Sequence, residues 1–263
     1  MLLREYGMSV RLRYPFILYE IMEKTYCNDD ISVRYSGHRA LCEIDIPGQQ
    51  AIERGRVLVV GAGGLGSPVC LYLAAAGVGT IGIVDADTVS LSNLQRQIIH
   101  HTSDVGRLKV ESAAAKMNAV NPHVVVEPVA AMLTSANASD IIQRYDIVVD
   151  CTDNYATRLL INDTCVALGK PMVYGAVQRM AGQIFTYMPG GADYRTWFGE
   201  TPPSQEQPCS VNGVMNTVVG VIGTLQATEV IKFLSHAGDL LDRRLLIFDA
   251  VTMTFREIGA RHS

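Results

Sequence analysis

One stretch of the sequence, RVLVVGAGGLGSPVCLYLAAAG at positions 56–77, restricts the fold more than any other. An apolar run leads into a glycine-rich turn, and an apolar, helix-like segment follows it. Gly61, Gly63 and Gly66 fit the pattern G-x-G-x-x-G between a strand and a helix. The first glycine permits a tight turn, the second lets a phosphate approach the backbone, and the third lets helix and strand pack closely. The stretch therefore predicts a strand–turn–helix unit with a phosphate site at the helix N-terminus.

Short apolar segments and helix-like segments alternate along the rest of the chain. Apolar strands without polar alternation are typical of a parallel sheet that helices cover on both faces. We therefore predict an α/β fold, a Rossmann-like and mostly parallel sheet with helices on both faces. The predicted strands are 57–60, 80–87, 123–129, 146–151 and 171–177, and the predicted helices are 107–120, 137–144 and 155–168.

The last third of the chain departs from this alternation. Segments 182–189 and 245–258 are predicted to be antiparallel strands added to one edge of the sheet. Between them, segment 190–212 is rich in Pro, Gly and Ser and is predicted to be an irregular crossover loop. We expect segment 213–234 to form a buried helix, not a membrane span, because it carries charged and amide side chains.

Two further expectations concern packing and domain organisation. Gly220 and Gly223 are expected to let the helix of segment 213–234 approach its neighbours closely. Residues 1–33 have no clear periodicity, so we predict a partly disordered N-terminal extension followed by one domain at 34–263.

Charge and cysteine spacing exclude several classes of protein. The 263 residues carry a formal net charge of −4, which argues against a nucleic-acid partner. The six cysteines are scattered without a C-x-x-C pair, which argues against a disulfide scaffold and a cysteine-rich zinc site. No segment has the pattern of a signal peptide or a membrane span. We therefore expect a protein of the reducing cytoplasm that binds neither nucleic acid nor membrane.

An acidic residue follows the glycine turn at the distance expected of a nucleotide site. Asp85 ends the second predicted strand, about 20 residues after the turn, where an acid takes up ribose hydroxyls. Turn, strand context and acid together predict a nucleotide. They do not identify it, because NAD, FAD and ATP all carry a ribose and phosphates.

Charged residues further along favour ATP over NAD. Arg96 and Lys109 follow Asp85 in the same half of the sheet, and Asp153 follows the strand 146–151. Splitting ATP between its α- and β-phosphates puts charge on the departing pyrophosphate, so it needs cations and usually Mg²⁺. We expect Arg96 and Lys109 to supply the cations and Asp153 to hold the metal. The ordinary alternatives are surface charges for the two cations and a helix N-cap for Asp153.

Five motifs resemble the ThiF/MoeB/HesA family, the prokaryotic relatives of ubiquitin-activating enzymes. They are GAGGLGSP, DADTVSLSNLQRQ, GRLKVESAAAKMNAVNPH, DCTDNYATR and GVIGTLQATEVIK, and the resemblance runs from about residue 34 to 257. It implies a homodimeric enzyme that uses Mg-ATP to adenylate the C-terminal glycine of a small ubiquitin-like, β-grasp sulfur carrier ending in Gly-Gly. The reaction releases pyrophosphate. A sulfur donor protein then takes part in sulfur transfer for the synthesis of thiamin, molybdopterin or a related product.

The resemblance also implies roles for individual residues. Asp85 would hold the ribose, Asn93, Arg96 and Lys109 would contact the triphosphate, and Asp153 would bind Mg²⁺. The implied nucleotide-site residues are Gly61, Gly63, Gly64, Gly66, Asp85, Asp87, Asn93, Arg96, Gln97, Lys109, Asp153 and Asn154, and the implied catalytic residues are Arg96, Lys109, Asp153 and Cys209.

Two features depart from the family pattern. Asp193 and Thr196 stand where the first pair of zinc cysteines is expected, and the chain has no second pair, so we expect no structural zinc. The family pattern R-Y-x-R, whose second arginine reaches the partner subunit's triphosphate, reads RYSGHR here. Arg34 matches the first arginine, Gly37 replaces the second, and Arg39 is the available substitute.

Cys209 lies in the predicted crossover loop, where many relatives carry a cysteine. A thiolate there would attack the acyl adenylate and form a thioester or a disulfide-linked intermediate with the carrier. The alternative is a small apolar residue tucked under the loop. His100 and His101 follow the NLQRQ segment, and the sequence assigns them no role.

Two other functions stay open on the sequence alone. An NAD(P)-dependent oxidoreductase would use the glycine turn and Asp85 equally well, but it leaves Arg96, Lys109 and Asp153 without a shared purpose. A non-catalytic relative would only bind its carrier; Gly37 and the missing zinc cysteines keep that alternative open behind the adenylyltransferase.

Overall fold

The computed structural model describes residues 30–199 and 213–260. The chain divides into two units, residues 1–34 and 35–263, and only the end of the first is described. The predicted extension 1–33 lies almost entirely outside the described residues and stays a prediction. The described strands are β1 (Arg56–Val60), β2 (Thr80–Val84), β3 (Val125–Val129), β4 (Ile147–Asp150), β5 (Met172–Gln178), β6 (Ala181–Tyr187), β7 (Arg244–Asp249) and β8 (Thr254–Gly259). The described helices are α1 (Asp30–Arg34), α2 (Ser36–Arg39), α3 (Asp45–Arg54), α4 (Gly66–Ala76), α5 (Lys109–Val120), α6 (Ala138–Ile142), α7 (Tyr155–Leu168), α8 (Tyr194–Phe198) and α9 (Asn216–Ser235).

The strands form one eight-stranded sheet in the order β3–β2–β1–β4–β5–β6–β7–β8. The first five of these strands pair in parallel, and β6, β7 and β8 are added as antiparallel strands. The predicted fold class is therefore confirmed, including the antiparallel strands at one edge. The chain moves outward from β1 to β3 and then returns to β4 on the other side of β1. This reversal opens a crevice at the carboxyl ends of β1 and β4, where ligands bind in such folds.

The two faces of the sheet are covered by different helices. In β1, Val57 and Val59 pack in the layer that contains α4, α5 and α9, whereas Leu58 and Val60 pack in the layer that contains α6 and α7. Burial on both faces explains why the central strands are apolar throughout rather than alternating. It also fixes β1, and with it the glycine turn, in the centre of the sheet.

The predicted elements are present, mostly with shorter ends. Helix α7 coincides with the predicted 155–168, whereas the predicted strand 80–87 ends at Val84. The Asp85 N–H still bonds to the Val129 carbonyl of β3, and the chain turns only after it, where the Asp85 carboxylate accepts a hydrogen bond from the Asp87 N–H at 2.8 Å.

Two predictions for the last third of the chain were wrong in part. Segment 245–258 is a hairpin of two strands, because the Asp249 carboxylate accepts hydrogen bonds from the Val251 N–H and the Thr252 hydroxyl and closes a turn. Segment 190–212 is not wholly irregular, because it contains α8. Asp193 and Thr196 form the capping box of that helix, so the residues that replace the expected cysteines start a helix.

Helix α9 packs as a core helix against the sheet. Its buried Gln226 donates a hydrogen bond to the Asp150 carbonyl at 2.7 Å, and its buried Glu229 accepts one from the Thr186 hydroxyl at 2.6 Å. By length and composition α9 would suffice to cross a membrane, and half of its apolar window is buried inside the protein.

The two glycines of α9 do not share the packing role predicted for them. A Cβ on Gly223 would lie 2.5 Å from Pro68 Cγ and 2.7 Å from the Leu65 carbonyl oxygen, so the close approach of α9 to α4 requires this glycine. A Cβ on Gly220 would meet no heavy atom within 4 Å, so close packing does not explain that glycine.

This difference predicts opposite effects of the same substitution. Gly223→Ala should lower the free energy of unfolding by about 1–3 kcal/mol, because α4 and α9 must move apart. Gly220→Ala should raise it by up to about 1 kcal/mol, because alanine favours the helix over glycine. Urea unfolding of both variants measures this, and a loss of stability in Gly220→Ala as large as that in Gly223→Ala would contradict it.

Candidate functional site

A cleft of about 230 Å³ opens at the carboxyl ends of the parallel strands. It is lined by the glycine turn after β1, the acidic residues after β2, residues 131–133 after β3 and residues 151–154 after β4. Arg96, Gln97 and Lys109 complete the polar wall. Loops that are far apart in the sequence therefore meet at the switch point of the sheet, as the sequence predicts.

The glycine turn has the geometry expected of its first and third glycines. Gly61 has φ +100°, and a Cβ there would lie 2.8 Å from the Cys151 carbonyl oxygen. A Cβ on Gly66 would lie 2.0 Å from the Gly61 carbonyl oxygen, so α4 can start against the turn only without a side chain at that position. Gly63 and Gly64 line the cleft, whereas Gly66 supports the turn from behind.

Asp85 is bound to the turn that it follows in the cleft. One of its carboxylate oxygens accepts a hydrogen bond from the Ala62 N–H and the other accepts one from the Asp87 N–H, both at 2.8 Å. Each oxygen keeps a further lone pair, so the half-buried carboxylate can still accept hydrogen bonds from a ligand in the cleft.

Lys109 begins α5 and is buried, and its charge is paired. Its Nζ lies 2.7 Å from an oxygen of the exposed Asp87 carboxylate, and its N–H donates to the Asp87 carbonyl at 2.9 Å. Asp87 thus holds Lys109 by both main chain and side chain at the mouth of the cleft.

Arg96 and Gln97 approach the cleft from a short loop. Arg96 Nη1 donates to the Ser92 carbonyl at 3.3 Å, and its side chain lies across Gly64. Gln97 is buried, and its Oε1 has no hydrogen-bond partner within the described residues. Asn93 does not line the cleft; its carbonyl accepts hydrogen bonds from the backbone N–H groups of Arg96 and Gln97 and so shapes the loop.

The loop after β4 separates two roles that the sequence could not separate. Asn154 is the N-cap of α7, and its Oδ1 accepts a hydrogen bond from the Thr157 N–H at 2.9 Å. The alternative of Asp153 as the cap is therefore wrong. Asp153 is exposed in the cleft, and its carboxylate makes no hydrogen bond or ion pair with the residues that the structure describes.

The neighbouring Asp150 is a different kind of carboxylate. Burial raises its pKa, and one oxygen accepts hydrogen bonds from the N–H and hydroxyl of Thr152. Its other oxygen is buried without a partner in the described part of the chain. Asp150 therefore shapes the loop, whereas Asp153 faces the cleft.

Sequence reasoning missed the apolar wall of the cleft. Met132 and Leu133 follow β3, Val177 lies near the carboxyl end of β5, Val214 precedes α9 and Val219 lies in its first turn. Residues 131–133 follow the carboxyl end of a strand, which is the one signal that would have indicated them. The same signal applies to Val177 at the end of the predicted strand 171–177, whereas Val214 and Val219 reach the cleft only through the fold.

Three of the predicted residues cannot be placed in this cleft. Cys209 lies in 200–212, outside the described residues. Arg34 belongs to the first unit of the chain and ends α1. Arg39 ends α2 and does not line the cleft.

The cleft and the sheet together define a Rossmann-like nucleotide-binding protein. The chain belongs to the ThiF family, which it matches over residues 35–263. The resemblance found in the sequence is therefore confirmed.

Three named relatives share between 44 and 46% of residues with this chain and each covers 87% of it. The SAMP-activating enzyme E1 of Haloferax volcanii is 46% identical over 229 residues, and the match spans 85% of its length. The probable adenylyltransferase/sulfurtransferase MoeZ of Mycobacterium tuberculosis is 44% identical, and the adenylyltransferase and sulfurtransferase MOCS3 of Arabidopsis thaliana is 46% identical. The match spans only 60% of MoeZ and 50% of MOCS3.

Solved structures support the fold. Escherichia coli MccB is 21% identical with a TM-score of 0.79, over 90% of this chain and 74% of that chain. PaaA is 18% identical with a TM-score of 0.75, over 93% of this chain and 78% of that chain.

The loop between Gln97 and Lys109 predicts how the protein responds to acid. Burial raises the pKa of Asp104, but hydrogen bonds led by those from the His101 N–H and Lys116 outweigh it and lower the pKa from 3.8 to about 2. The folded protein therefore favours the carboxylate, and the resulting stability is lost as the pH falls from about 4 to about 2. We expect this residue to account for a loss of about 2 kcal/mol over that range.

Urea unfolding at several pH values between 5 and 2 tests this expectation. Asp104→Asn should remove that part of the pH dependence, whereas the exposed Asp140→Asn should retain it. An equal pH dependence in wild type and Asp104→Asn would overturn the expectation.

Proposed function

We propose that this protein is an ATP-dependent adenylyltransferase that activates the C-terminal glycine carboxylate of a small ubiquitin-like sulfur-carrier protein. The observation that carries the proposal is one cleft with a glycine turn, an acid, two cations and an exposed carboxylate, in a chain of the ThiF family. The enzyme class predicted from the sequence is confirmed by the MoeZ and MOCS3 relatives, which are named adenylyltransferases.

The nucleotide is held by backbone and acid together. The N–H groups at the start of α4 face the phosphates, and the partial positive charge of the helix N-terminus favours them. Asp85 accepts hydrogen bonds from the ribose hydroxyls while it keeps its bond to Ala62. The base is given an apolar surface by residues 131–133 together with Val177, Val214 and Val219.

Arg96 and Lys109 act on the charge that moves during the reaction. A carboxylate oxygen of the carrier attacks the α-phosphorus, the bond to the β-phosphate breaks, and pyrophosphate leaves with the charge. The carboxylate and the α-phosphate repel each other, so cations and positioning must offset that repulsion. Arg96 keeps guanidinium donors beyond its bond to Ser92, and Lys109 exchanges Asp87 for a phosphate oxygen.

Asp153 is the residue that fits a magnesium ion. Its exposed carboxylate lies in the cleft, and no cluster of three or more acidic, histidine or cysteine ligands is present in the part of the chain that the structure describes. One carboxylate together with substrate phosphates is a common arrangement for Mg²⁺. When bound, the ion would screen the phosphate charge; Asp153 would hold it, and Asn154 would hold the start of α7.

The partner of the reaction is a small protein with an accessible C-terminus. The archaeal relative is named for activating SAMP, which supports a protein substrate. We further propose a β-grasp carrier ending in Gly-Gly, a sulfur donor protein that acts on the activated carrier, and a cytoplasmic homodimer. In that dimer Arg34 or Arg39 supplies a cation to the partner's nucleotide, and the carrier decides which product receives the sulfur.

The proposal is tested by exchange between ATP and labelled pyrophosphate. Purified protein, Mg²⁺ and a β-grasp carrier ending in Gly-Gly should give exchange that requires all three. The matched control is the same carrier without its terminal glycine. Binding of NAD with no exchange for any carrier would favour an oxidoreductase and overturn the proposal.

Replacing Lys109 should slow adenylation strongly. A unit charge at about 4 Å contributes roughly 4 kcal/mol at an effective dielectric of 20, so Lys109→Met should reduce the exchange rate by two to three powers of ten. Lys116→Met removes a charge from the same helix outside the cleft and should change the rate less than about 5-fold. Similar losses in the two variants would contradict the role of Lys109.

Cys209 should be separable from adenylation. Cys209→Ala should leave carrier-dependent ATP–pyrophosphate exchange intact and abolish any covalent adduct between enzyme and carrier. Exchange kinetics and non-reducing electrophoresis measure the two steps separately, and loss of the exchange itself would refute this division of labour.

A further inference from the structure

The imidazole of His100 lies directly beneath the glycine turn. Its Nε2 lies 2.9 Å from the Ala62 carbonyl oxygen, and its Nδ1 lies 2.9 Å from the hydroxyl of Ser112 on α5. The residue is only 4% exposed, and the adenylation chemistry described above makes no use of it. It connects the phosphate-binding turn to the helix that begins with Lys109.

His100 and Asp85 hold the two peptide groups that flank one residue of the turn, Ala62. Asp85 accepts a hydrogen bond from the Ala62 N–H, and His100 donates to the Ala62 carbonyl. The carbonyl can only accept, so Nε2 carries a proton in every state of the imidazole. The Ala62 carbonyl shares its planar peptide with the Gly63 N–H, so holding the carbonyl also sets where that N–H points.

The other ring nitrogen has two complete hydrogen-bonding arrangements. In the neutral imidazole, Nδ1 accepts from the Ser112 hydroxyl. In the imidazolium, Nδ1–H donates to the Ser112 oxygen, and the hydroxyl proton turns away from the ring toward the neighbouring Asp104 carboxylate, whose pKa a hydrogen bond from Ser112 lowers. Only the rotation of one hydroxyl separates the two arrangements, and neither leaves a buried polar group unpaired.

The charges around His100 decide between these arrangements. Burial lowers its pKa, the hydrogen bond to Ala62 raises it, Lys109 lowers it, and Asp104 and Asp85 raise it; the net effect is a lowered pKa. The neutral form is therefore favoured without a ligand. A triphosphate on the turn adds negative charge next to Lys109, and this attraction is weakly screened because the imidazole is buried.

We propose that His100 takes up a proton when the triphosphate of ATP binds at the glycine turn, and that the imidazolium then holds Ala62 through the same hydrogen bond. The proposal rests on the proposed function, because it assumes that ATP is the ligand of the turn. His100 is a positioning residue here: it acts on the phosphates through Ala62 and does not touch them. The proton comes from the buffer and returns to it when the phosphates leave.

Calorimetric titration of the full protein with Mg-ATP, without carrier, tests this proposal. Heats measured near pH 6.5 in buffers of different ionisation enthalpy give the number of protons taken up for each ATP bound. The wild type should take up a substantial fraction of one proton more than His100→Gln. Proton exchange by ATP itself is the same in both titrations and cancels in the difference.

Two further variants keep the outcome decisive. Ser112→Ala retains the imidazole and its bond to Ala62 but removes the acceptor of the Nδ1 proton, so the extra uptake should be lost there too. It provides the comparison if His100→Gln does not fold. His123→Gln removes an exposed histidine and should show the wild-type proton count.

The results separate this inference from the proposed function. If wild type, His100→Gln and Ser112→Ala all bind ATP and take up equal numbers of protons, the inference about His100 is overturned. The proposed adenylyltransferase function would be unaffected by that result. A wild type that binds no ATP would overturn both.

Discussion

The contact between Gly61 and Gly66 sets the geometry on which the cleft depends. With no side chain at position 66, the start of α4 lies against the Gly61 carbonyl, where a Cβ would come within 2.0 Å. The same turn lies against Cys151, because a Cβ on Gly61 would come within 2.8 Å of its carbonyl oxygen. The absence of two side chains thus brings the loop after β1 and the loop after β4 into one site, and Asp153 lines the same cleft as the glycine turn.

The polar residues of the cleft come from loops that fold separately. Asp85 and Asp87 follow β2, Lys109 begins α5, and Asp153 follows β4. Asp85 is held by a hydrogen bond to the glycine turn, Asp87 by its ion pair with Lys109, and Lys109 by the start of a helix. The sheet only has to place the strand ends side by side, which the hydrophobic packing of its two faces achieves. Adenylation chemistry on this fold is therefore a property of the strand ends and not of the core.

The sequence predicted the features that depend on neighbouring residues. Apolar strands, the glycine turn and α7 could be predicted because their signals are local, and the family motifs indicated the cleft residues. It did not distinguish Asp153 from Asn154 as the cap of α7, because both side chains can cap a helix and only the path of the chain selects one. Nor did it distinguish Gly220 from Gly223, because only the position of α4 shows which glycine is crowded.

His100 shows why the rest of the site could not be predicted. Its partners lie 38 residues before it and 12 residues after it, and no local pattern links them. The hairpin at Asp249 is a simpler example. From the sequence alone, segment 245–258 could have continued as one strand, and only the hydrogen bonds of the Asp249 carboxylate show that the chain turns there. In both cases a polar side chain finds a backbone or hydroxyl partner that only the folded chain brings within reach.

The ion pair between Lys109 and Asp87 has a consequence for which ligands the cleft admits. A buried cation that already has a carboxylate partner does not attract every small anion, since an incoming group must first compete with that carboxylate. A chain of linked phosphates competes well because its charges arrive together, whereas a singly charged ion gains little by the exchange. The ion pair therefore makes the cleft selective for polyvalent anions over singly charged ones. Because Asp87 already neutralises Lys109, the start of α5 does not need a nucleotide to balance its charge.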